Sequence, residues 1–231
     1  MPGFEVRSRH RQRPGSPGRF RLDAKRYSIA VMHLWTAADP APNPRRVRLF
    51  LRVKHLELPS TELSLMRGEH KSVDALARNP RGQVPFLELG DGRVLAETVA
   101  ICRYLDELHP EPPLFGSDAW QRAETDMWIR RVETALGVPV ATVWQHGHKF
   151  TAALLTQIPA AADAARERAL DAMRWFDTQL TGREWLVGDR FTMADIVLLT
   201  TLDFAVWIGV DLPDGTAALA DWRARATART A

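Results

Sequence analysis

Residues 79–105 read NPRGQVPFLELGDGRVLAETVAICRYL, and this stretch decides the fold of the first half of the chain. Two short apolar segments, 86–89 and 93–95, flank a Gly-Asp-Gly sequence of the kind that closes a two-stranded hairpin. A helix is predicted to begin at Glu97, because apolar residues after it keep helical spacing. These residues are Ile101, Cys102, Leu105 and Leu108. The stretch therefore predicts a hairpin that leads directly into a helix.

The residues before this stretch add two strands and two helices. A strand is predicted at 29–35, followed by a proline-rich loop and a helix with Asn43 as N-cap and Pro44 in its first position. A second strand is predicted at 60–65, and a loop and short helix at 66–78. The order β-α-β-α-β-β-α is typical of an α/β domain, which we place at residues 29–109.

The residues after the stretch have a different character. Segment 110–117 is rich in proline and is expected to be a stiff linker. Beyond it, residues 118–231 are predicted to form an all-helical domain, in which Thr192 and Asp195 make a capping box ahead of the third helix. The predicted helices are 118–148, 160–181, 192–208 and 216–229.

Charge and composition exclude several classes of protein. Residues 1–27 hold eight Arg or Lys against two acidic residues and carry +6, so the formal net charge of +3 leaves −3 on the remainder. We therefore expect residues 1–28 to be a disordered basic extension and expect no nucleic-acid surface. Cys102, the single cysteine, excludes a disulfide scaffold and favours a cytoplasmic location. No apolar run reaches the roughly 18 residues that would indicate a membrane span.

The chain resembles the soluble glutathione S-transferases, of a bacterial, theta-like type, over about residues 30–230. The resemblance is carried by 79–105 together with four shorter segments, which are PNPRRVRLFL, GEHKS, HPEPPLFG and FTMADI. It implies a thioredoxin-like N-terminal domain, an all-helical C-terminal domain, a homodimer and glutathione as substrate. Met32 stands where chains of this family usually begin, so we expect the residues before it to be dispensable for folding and for glutathione binding.

Four residues of the 79–105 stretch are candidates for holding glutathione. A cis bond between Val84 and Pro85 would expose the backbone of Val84 as a strand edge, with which a peptide-like ligand can pair. At Glu97 and Thr98 a strand passes into a helix, whose free N–H groups favour a carboxylate while Glu97 attracts an ammonium group. The competing interpretations are that Pro85 only starts a strand and that Glu97 and Thr98 only cap a helix.

The resemblance adds three further residues to the glutathione site. His70 and Lys71 match a segment that lies near the glycine carboxylate of glutathione in related enzymes, and Gln83 is similarly placed. Lys71 is also consistent with an ordinary solvated surface residue.

The group that stabilises the glutathione thiolate is the weakest part of the resemblance. Relatives carry a Tyr at the end of the first strand or a Ser before the first helix, whereas this chain has Trp35 and Ala41 there. The remaining catalytic candidates are Thr36, through its hydroxyl, and Asn43, through its amide, assisted by the dipole of the helix that follows. A loop threonine and a helix N-cap are the competing readings of these two residues.

Other chemistry-bearing residues point to no additional site. Cys102 is predicted to be a buried hydrophobe, and His146 and His148 lie too far around a helix to share a metal, so no metal is expected. Trp128 and Trp144 are expected to face the neighbouring domain and line a cleft for a small hydrophobic electrophile. The sequence thus predicts a detoxifying glutathione transferase. The alternatives are a non-catalytic glutathione-binding or structural homologue and a glutathione-dependent isomerase or reductase.

Overall fold

A computed structural model describes residues 29–231, so the prediction of a disordered basic extension at 1–28 lies outside the described residues. The N-terminal domain is a four-stranded mixed sheet with three helices. Its elements are β1 (His33–Thr36), α1 (Pro42–Val53), β2 (Ser60–Glu62), α2 (Val73–Arg78), β3 (Phe86–Glu88), β4 (Val94–Ala96) and α3 (Thr98–Leu108). The predicted α/β order and the hairpin of β3 and β4 are confirmed.

The sheet has the strand order β2-β1-β3-β4. Strand β1 runs parallel to β2 and antiparallel to β3, and β3 runs antiparallel to β4. Phe86 therefore lies between Trp35 on one side and Ala96 on the other. This register brings the start of β3 next to the end of β4, where α3 begins.

Three predicted boundaries were wrong by a few residues. The first strand does not begin at residue 29, because Ile29–Val31 forms a 3-10 turn and the pairing with β2 starts only at Leu34. Strand β2 ends at Glu62 instead of continuing to residue 65. Helix α1 begins at Pro42, one residue before the predicted cap, because proline at the first helical position needs no N–H partner.

The C-terminal domain is all-helical. Its elements are α4 (Ala119–Arg131), a π-helical segment (Val132–Gly137), α5 (Val138–Gly147), α6 (Pro159–Leu180), α7 (Met193–Trp207) and α8 (Ala217–Arg229). Helix α7 is buried along most of its length. Its capping box is confirmed, since the Thr192 hydroxyl accepts from the N–H of Ala194 in the first turn and the Asp195 carboxylate accepts from the N–H of Thr192. None of the helices between residues 29 and 231 is long and apolar enough to cross a bilayer.

A buried ion pair fastens the segment between the domains. Lys54 at the end of α1 donates to Asp106 of α3 at 2.8 Å and to the carbonyl of Pro112 at 2.7 Å. Asp106 also accepts from the backbone N–H groups of Leu114 and Phe115. The chain that leads from α3 to α4 is therefore fixed against the N-terminal domain.

Candidate functional site

A cavity of about 570 Å³ lies between the edge of the sheet and helix α4. We call it the polar cavity, because charged and amide side chains dominate its lining. It is lined by Asn43, Arg46, Asn79, Gln83, Val84, Pro85, Ala96, Glu97, Thr98, Val99, Ala100, Arg103, Asp126, Ile129, Arg130 and Glu133. Helix α1, the loop before β3, the start of α3 and helix α4 thus all contribute to one site.

The Val84-Pro85 segment forms one wall of the polar cavity. The peptide bond between the two residues is cis, as predicted. Strand pairing begins only at Phe86, and the N–H and C=O groups of Val84 make no hydrogen bond within residues 29–231. Val84 therefore offers an unpaired donor and an unpaired acceptor with the spacing of a strand edge.

Glu97 and Thr98 form the opposite wall. Glu97 precedes α3 with a φ of 69°, a conformation that an L-residue with a side chain rarely adopts and that is enriched at functional sites. Its exposed carboxylate has no hydrogen-bond or ion-pair partner among the described residues. Thr98 is the first residue of α3, and its buried hydroxyl lines the cavity. This corner combines a free carboxylate with a helix N-terminus, so it suits a ligand that carries an ammonium and a carboxylate group together.

Helix α4 and the π-helical segment after it close the polar cavity with charged residues that no sequence motif singles out. Asp126 forms an ion pair with Arg103 of α3 at 2.8 Å, and Glu133 forms one with Arg130 at 3.4 Å. Glu133 lies in the π-helical segment, a local irregularity that is common at functional sites.

The three residues assigned from the resemblance alone take different positions. Gln83 lines the polar cavity, and its side-chain oxygen accepts from Arg81 at 3.0 Å. His70 and Lys71 lie in a 3-10 turn and line neither this cavity nor the apolar cavity described below. Lys71 donates to the carbonyl of Arg81. The pKa of His70 is lowered mainly by burial and to a smaller extent by the charge of Lys71, and this favours a neutral imidazole. The described conformation therefore places no cation of this turn at the cavity.

The two candidates for thiolate stabilisation take different positions around the start of α1. Thr36 is buried at the end of β1, accepts from Arg48 at 3.4 Å and lines neither cavity. Asn43 lines the polar cavity, and the expectation that it caps α1 is wrong, because the N-cap position belongs to Ala41. Its exposed amide makes no hydrogen bond within the described range, so the geometry favours Asn43 over Thr36. Trp35 points away to bond Glu88 at 3.1 Å.

A second cavity of about 570 Å³ lies on the other side of the α1 N-terminus, and we call it the apolar cavity. Its lining comprises residues 37–42, residues 62–67, Trp144, Phe150, Phe204 and Trp207. Trp207 stacks on Phe204 with ring centroids 5.7 Å apart, and Trp144 stacks on Phe150 at 5.8 Å. Trp144 thus lines a cavity that faces the N-terminal domain, as expected. Trp128 is only 3% exposed and packs beside Trp175, so its predicted place in a cleft was wrong.

Cys102 takes no part in either cavity. It is buried on the inner face of α3, and this burial raises the pKa of its thiol, which keeps it protonated and unreactive. Within residues 29–231 no group of three or more His, Cys, Asp or Glu side chains is placed to hold a metal ion.

Comparisons with known proteins match both domains to one family. Residues 41–108 match the family model described as glutathione S-transferase, N-terminal domain, and residues 141–230 match glutathione S-transferase, C-terminal domain. Glutathione S-transferase 2 of Saccharomyces cerevisiae is 35% identical over 191 residues, which cover 80% of this chain and 81% of that protein. Maleylacetoacetate isomerase of Pseudomonas aeruginosa is 32% identical over 72% of this chain and 78% of its own length. The crystal structure of a glutathione S-transferase domain-containing protein from Marinobacter aquaeolei superposes with a TM-score of 0.80 at 34% identity, covering 85% of this chain and 98% of that one.

Proposed function

The chain belongs to the glutathione S-transferase family, and from this premise we propose that it binds glutathione in the polar cavity and transfers the thiolate to a small apolar electrophile in the apolar cavity. One observation carries the proposal above the others. The backbone of Val84 and the carboxylate of Glu97, neither of which has a partner within residues 29–231, face the same cavity, where a γ-glutamyl peptide would use both.

The γ-glutamyl end of glutathione matches the corner at Glu97 and Thr98. Its ammonium group would pair with the carboxylate of Glu97, and its α-carboxylate would accept from the Thr98 hydroxyl and from free N–H groups at the start of α3. The cysteinyl residue would then pair with the N–H and C=O of Val84 in the manner of an added strand. Gln83 lies beside this position and supplies an amide. We retain His70 and Lys71 as proposed contacts of the glycine carboxylate, conditional on a movement of their turn toward the bound peptide.

The sulfur of a peptide bound in this way would lie near the N-terminus of α1. This helix end separates the two cavities, since Asn43 lines the polar one and residues 37–42 line the apolar one. Its positive dipole and the Asn43 amide favour the thiolate over the thiol. The sulfur then forms a bond to the electrophilic carbon, the leaving group departs with its electron pair, and the thiol proton passes to solvent. Thr36, which is buried behind this loop, remains the second proposed catalytic residue.

The apolar cavity supports an electrophile with an aromatic or other flat apolar body. The ring faces of Trp144, Phe150, Phe204 and Trp207 offer stacking surface, and about 570 Å³ suits one small molecule. On family grounds we also propose a cytoplasmic homodimer that acts in detoxification. We also propose domain limits at 29–109 and 118–231, joined by a linker at 110–117. The end of α3 at Leu108 and the start of α4 at Ala119 support these limits.

Two other functions have specific support. The relative named maleylacetoacetate isomerase favours an isomerase that uses glutathione without consuming it. The absence of a Tyr or Ser hydroxyl at Trp35 and Ala41 favours a protein that binds glutathione without activating its thiol. A glutathione-dependent reductase is a third candidate, and it would convert glutathione to its disulfide.

Calorimetric titration with glutathione, combined with the ultraviolet absorbance of the thiolate, separates these functions. We expect binding with a lowered thiol pKa, and Glu97→Gln should weaken binding about tenfold because one charge-assisted hydrogen bond is lost. Glu107→Gln is the matched control, since this exposed residue lies on the same helix away from the cavity. No binding would refute every glutathione function, and binding without a lowered thiol pKa would favour the non-catalytic one. Consumption of glutathione into a conjugate distinguishes the transferase from the isomerase and the reductase.

A further inference from the structure

Arg46 of α1 is a buried cation that contacts two other helices, α3 and α7. It lies on α1, is 8% exposed and lines the polar cavity. Its guanidinium donates to the hydroxyls of Thr98 at 3.1 Å, Thr200 at 3.3 Å and Thr201 at 3.4 Å. No carboxylate in the part of the chain that the structure describes forms an ion pair with it. Within residues 29–231 its hydrogen bonds to side chains are therefore all to neutral groups, so the buried positive charge has no direct counter-ion there.

The charge of Arg46 is held in an environment that opposes it. Burial lowers the pKa of Arg46, and the negative charge of Glu133 acts in the other direction. Glu133 lines the same cavity but pairs with Arg130, so it does not neutralise the guanidinium directly. A buried arginine in this situation gains most from an anion that enters the cavity.

The hydrogens of the three threonine hydroxyls show where that anion would bind. Thr200 donates to the carbonyl of Ile196 at 2.9 Å, and Thr201 donates to the carbonyl of Val197 at 2.7 Å. Both residues can therefore accept from Arg46 while their own hydrogens are used inside α7. The hydroxyl of Thr98 also accepts from Arg46, but between residues 29 and 231 it has no acceptor for its own hydrogen.

A guanidinium only donates hydrogen bonds, so it fixes the role of the hydroxyl that it contacts. With a lone pair of Thr98 occupied by Arg46, the hydroxyl hydrogen can point at an acceptor that enters the cavity. Thr98 lines the polar cavity at the first position of α3, where free backbone N–H groups also favour negative charge. An anionic acceptor such as a carboxylate would satisfy the guanidinium, the Thr98 hydroxyl and the N–H groups together.

We propose that Arg46 is a positioning residue for the α-carboxylate of the γ-glutamyl group. It orients the Thr98 hydroxyl as a donor and supplies the buried positive charge that the carboxylate neutralises. This inference rests on the proposed function, because it assumes that glutathione occupies the polar cavity. It adds a residue on α1 to a carboxylate site otherwise built from α3 alone.

A pair of ligands that differ only in this carboxylate tests the inference. The probes are glutathione and 4-aminobutyryl-cysteinyl-glycine, which lacks the α-carboxylate and is otherwise identical. Calorimetry on the full chain should show that the unaltered protein prefers glutathione by about tenfold or more, the effect of a charge-assisted hydrogen bond. Arg46→Met should reduce this preference to near unity and leave the affinity for the analogue almost unchanged, whereas Arg46→Lys should retain part of the preference.

Three further variants keep the test independent of the folding role of Arg46. Thr98→Val should abolish the preference, Thr98→Ser should keep it, and Arg46→Met should add no further loss when Val occupies position 98. The matched control is Thr201→Val, which removes a neutral partner of the same guanidinium away from the cavity and should leave the preference intact. Thermal unfolding of each variant confirms that the protein compared is folded.

The outcomes separate the inference from the proposed function. If Arg46→Met weakens both ligands by the same factor, or leaves the preference unchanged, Arg46 has no role toward the carboxylate and the inference is overturned while glutathione binding stands. If the unaltered protein binds neither ligand, the proposed function is refuted and the inference is overturned with it.

Discussion

Replacing Asp195 by asparagine tests how the C-terminal domain supports the site. Asp195 is fully buried and accepts hydrogen bonds from the N–H groups of Leu186 and Thr192, from the Thr192 hydroxyl and from the indole of Trp222, all at 2.9–3.1 Å. It therefore links the start of α7 to the preceding loop and to α8. Burial raises the pKa of Asp195 to about 6, although these donors act to lower it.

The raised pKa of Asp195 makes the free energy of unfolding depend on pH, in a direction that can be worked out. In the unfolded chain the same carboxyl titrates near 3.8, so between this value and about 6 the folded state binds the extra proton. The contribution to the free energy of unfolding is thus complete below roughly pH 4 and is lost as the pH rises through about 6. Two pKa units correspond to about 3 kcal/mol.

Urea unfolding followed by tryptophan fluorescence, repeated at several pH values between roughly 4 and 7, measures this contribution. Asparagine does not titrate, so the stability advantage of aspartate over Asp195→Asn should shrink by about 3 kcal/mol across this range. The control is Asp177→Asn, which makes the same charge change at a half-buried cap of α8. A difference between aspartate and asparagine at position 195 that stays constant with pH would refute the reasoning, because it would mean that Asp195 titrates alike in both states.

Two further perturbations follow from the fold and the apolar cavity. Lys54→Met should lower the free energy of unfolding in urea titrations by about 3–5 kcal/mol, because it leaves the buried Asp106 carboxylate without its counter-ion. The double variant Lys54→Met with Asp106→Asn should recover part of this loss. Equal losses in the single and double variants would contradict this explanation. Trp207→Ala should raise the KM for a flat apolar electrophile about tenfold in steady-state kinetics, because a stacking surface is lost. A parallel rise in the Kd for glutathione would show instead that the two cavities do not act as separate sites.

The parts of the site that are local in sequence were predictable. Three such features depend only on residues within a few positions, and the structure has all three. They are the cis peptide bond before Pro85, the turn at 90–92 and the strand-to-helix transition at Glu97. The capping box at Thr192 belongs to the same class. In each case the residue type restricts the backbone or satisfies a nearby donor, so no distant contact is needed to infer the outcome.

The parts that depend on distant packing were not predictable from one sequence. Arg46 was passed over, because nothing in PNPRRVRLFL distinguishes the arginine that turns inward from its neighbours on α1. Trp128 and Trp144 lie on one long helical run, and the π-helical segment between them changes which face each presents. Their position on the first helices after the linker therefore did not predict that Trp128 packs against α6 while Trp144 lines the apolar cavity.

The sequence of the α1 N-terminus limits how strongly this protein can activate a thiol. A helix start usually offers several free N–H groups to an anion, but Pro42 and Pro44 have none, and the N–H of Arg45 already bonds the carbonyl of Ala41. Asn43 is therefore the residue of this turn that has both a free backbone N–H and a free side-chain amide. In the proposed site, stabilisation of a thiolate at this turn would rest on the helix dipole and on one neutral residue, which is weaker than stabilisation by a dedicated hydroxyl. We therefore expect turnover to depend on the intrinsic reactivity of the electrophile, so that rates across a series of leaving groups should vary steeply with leaving-group ability.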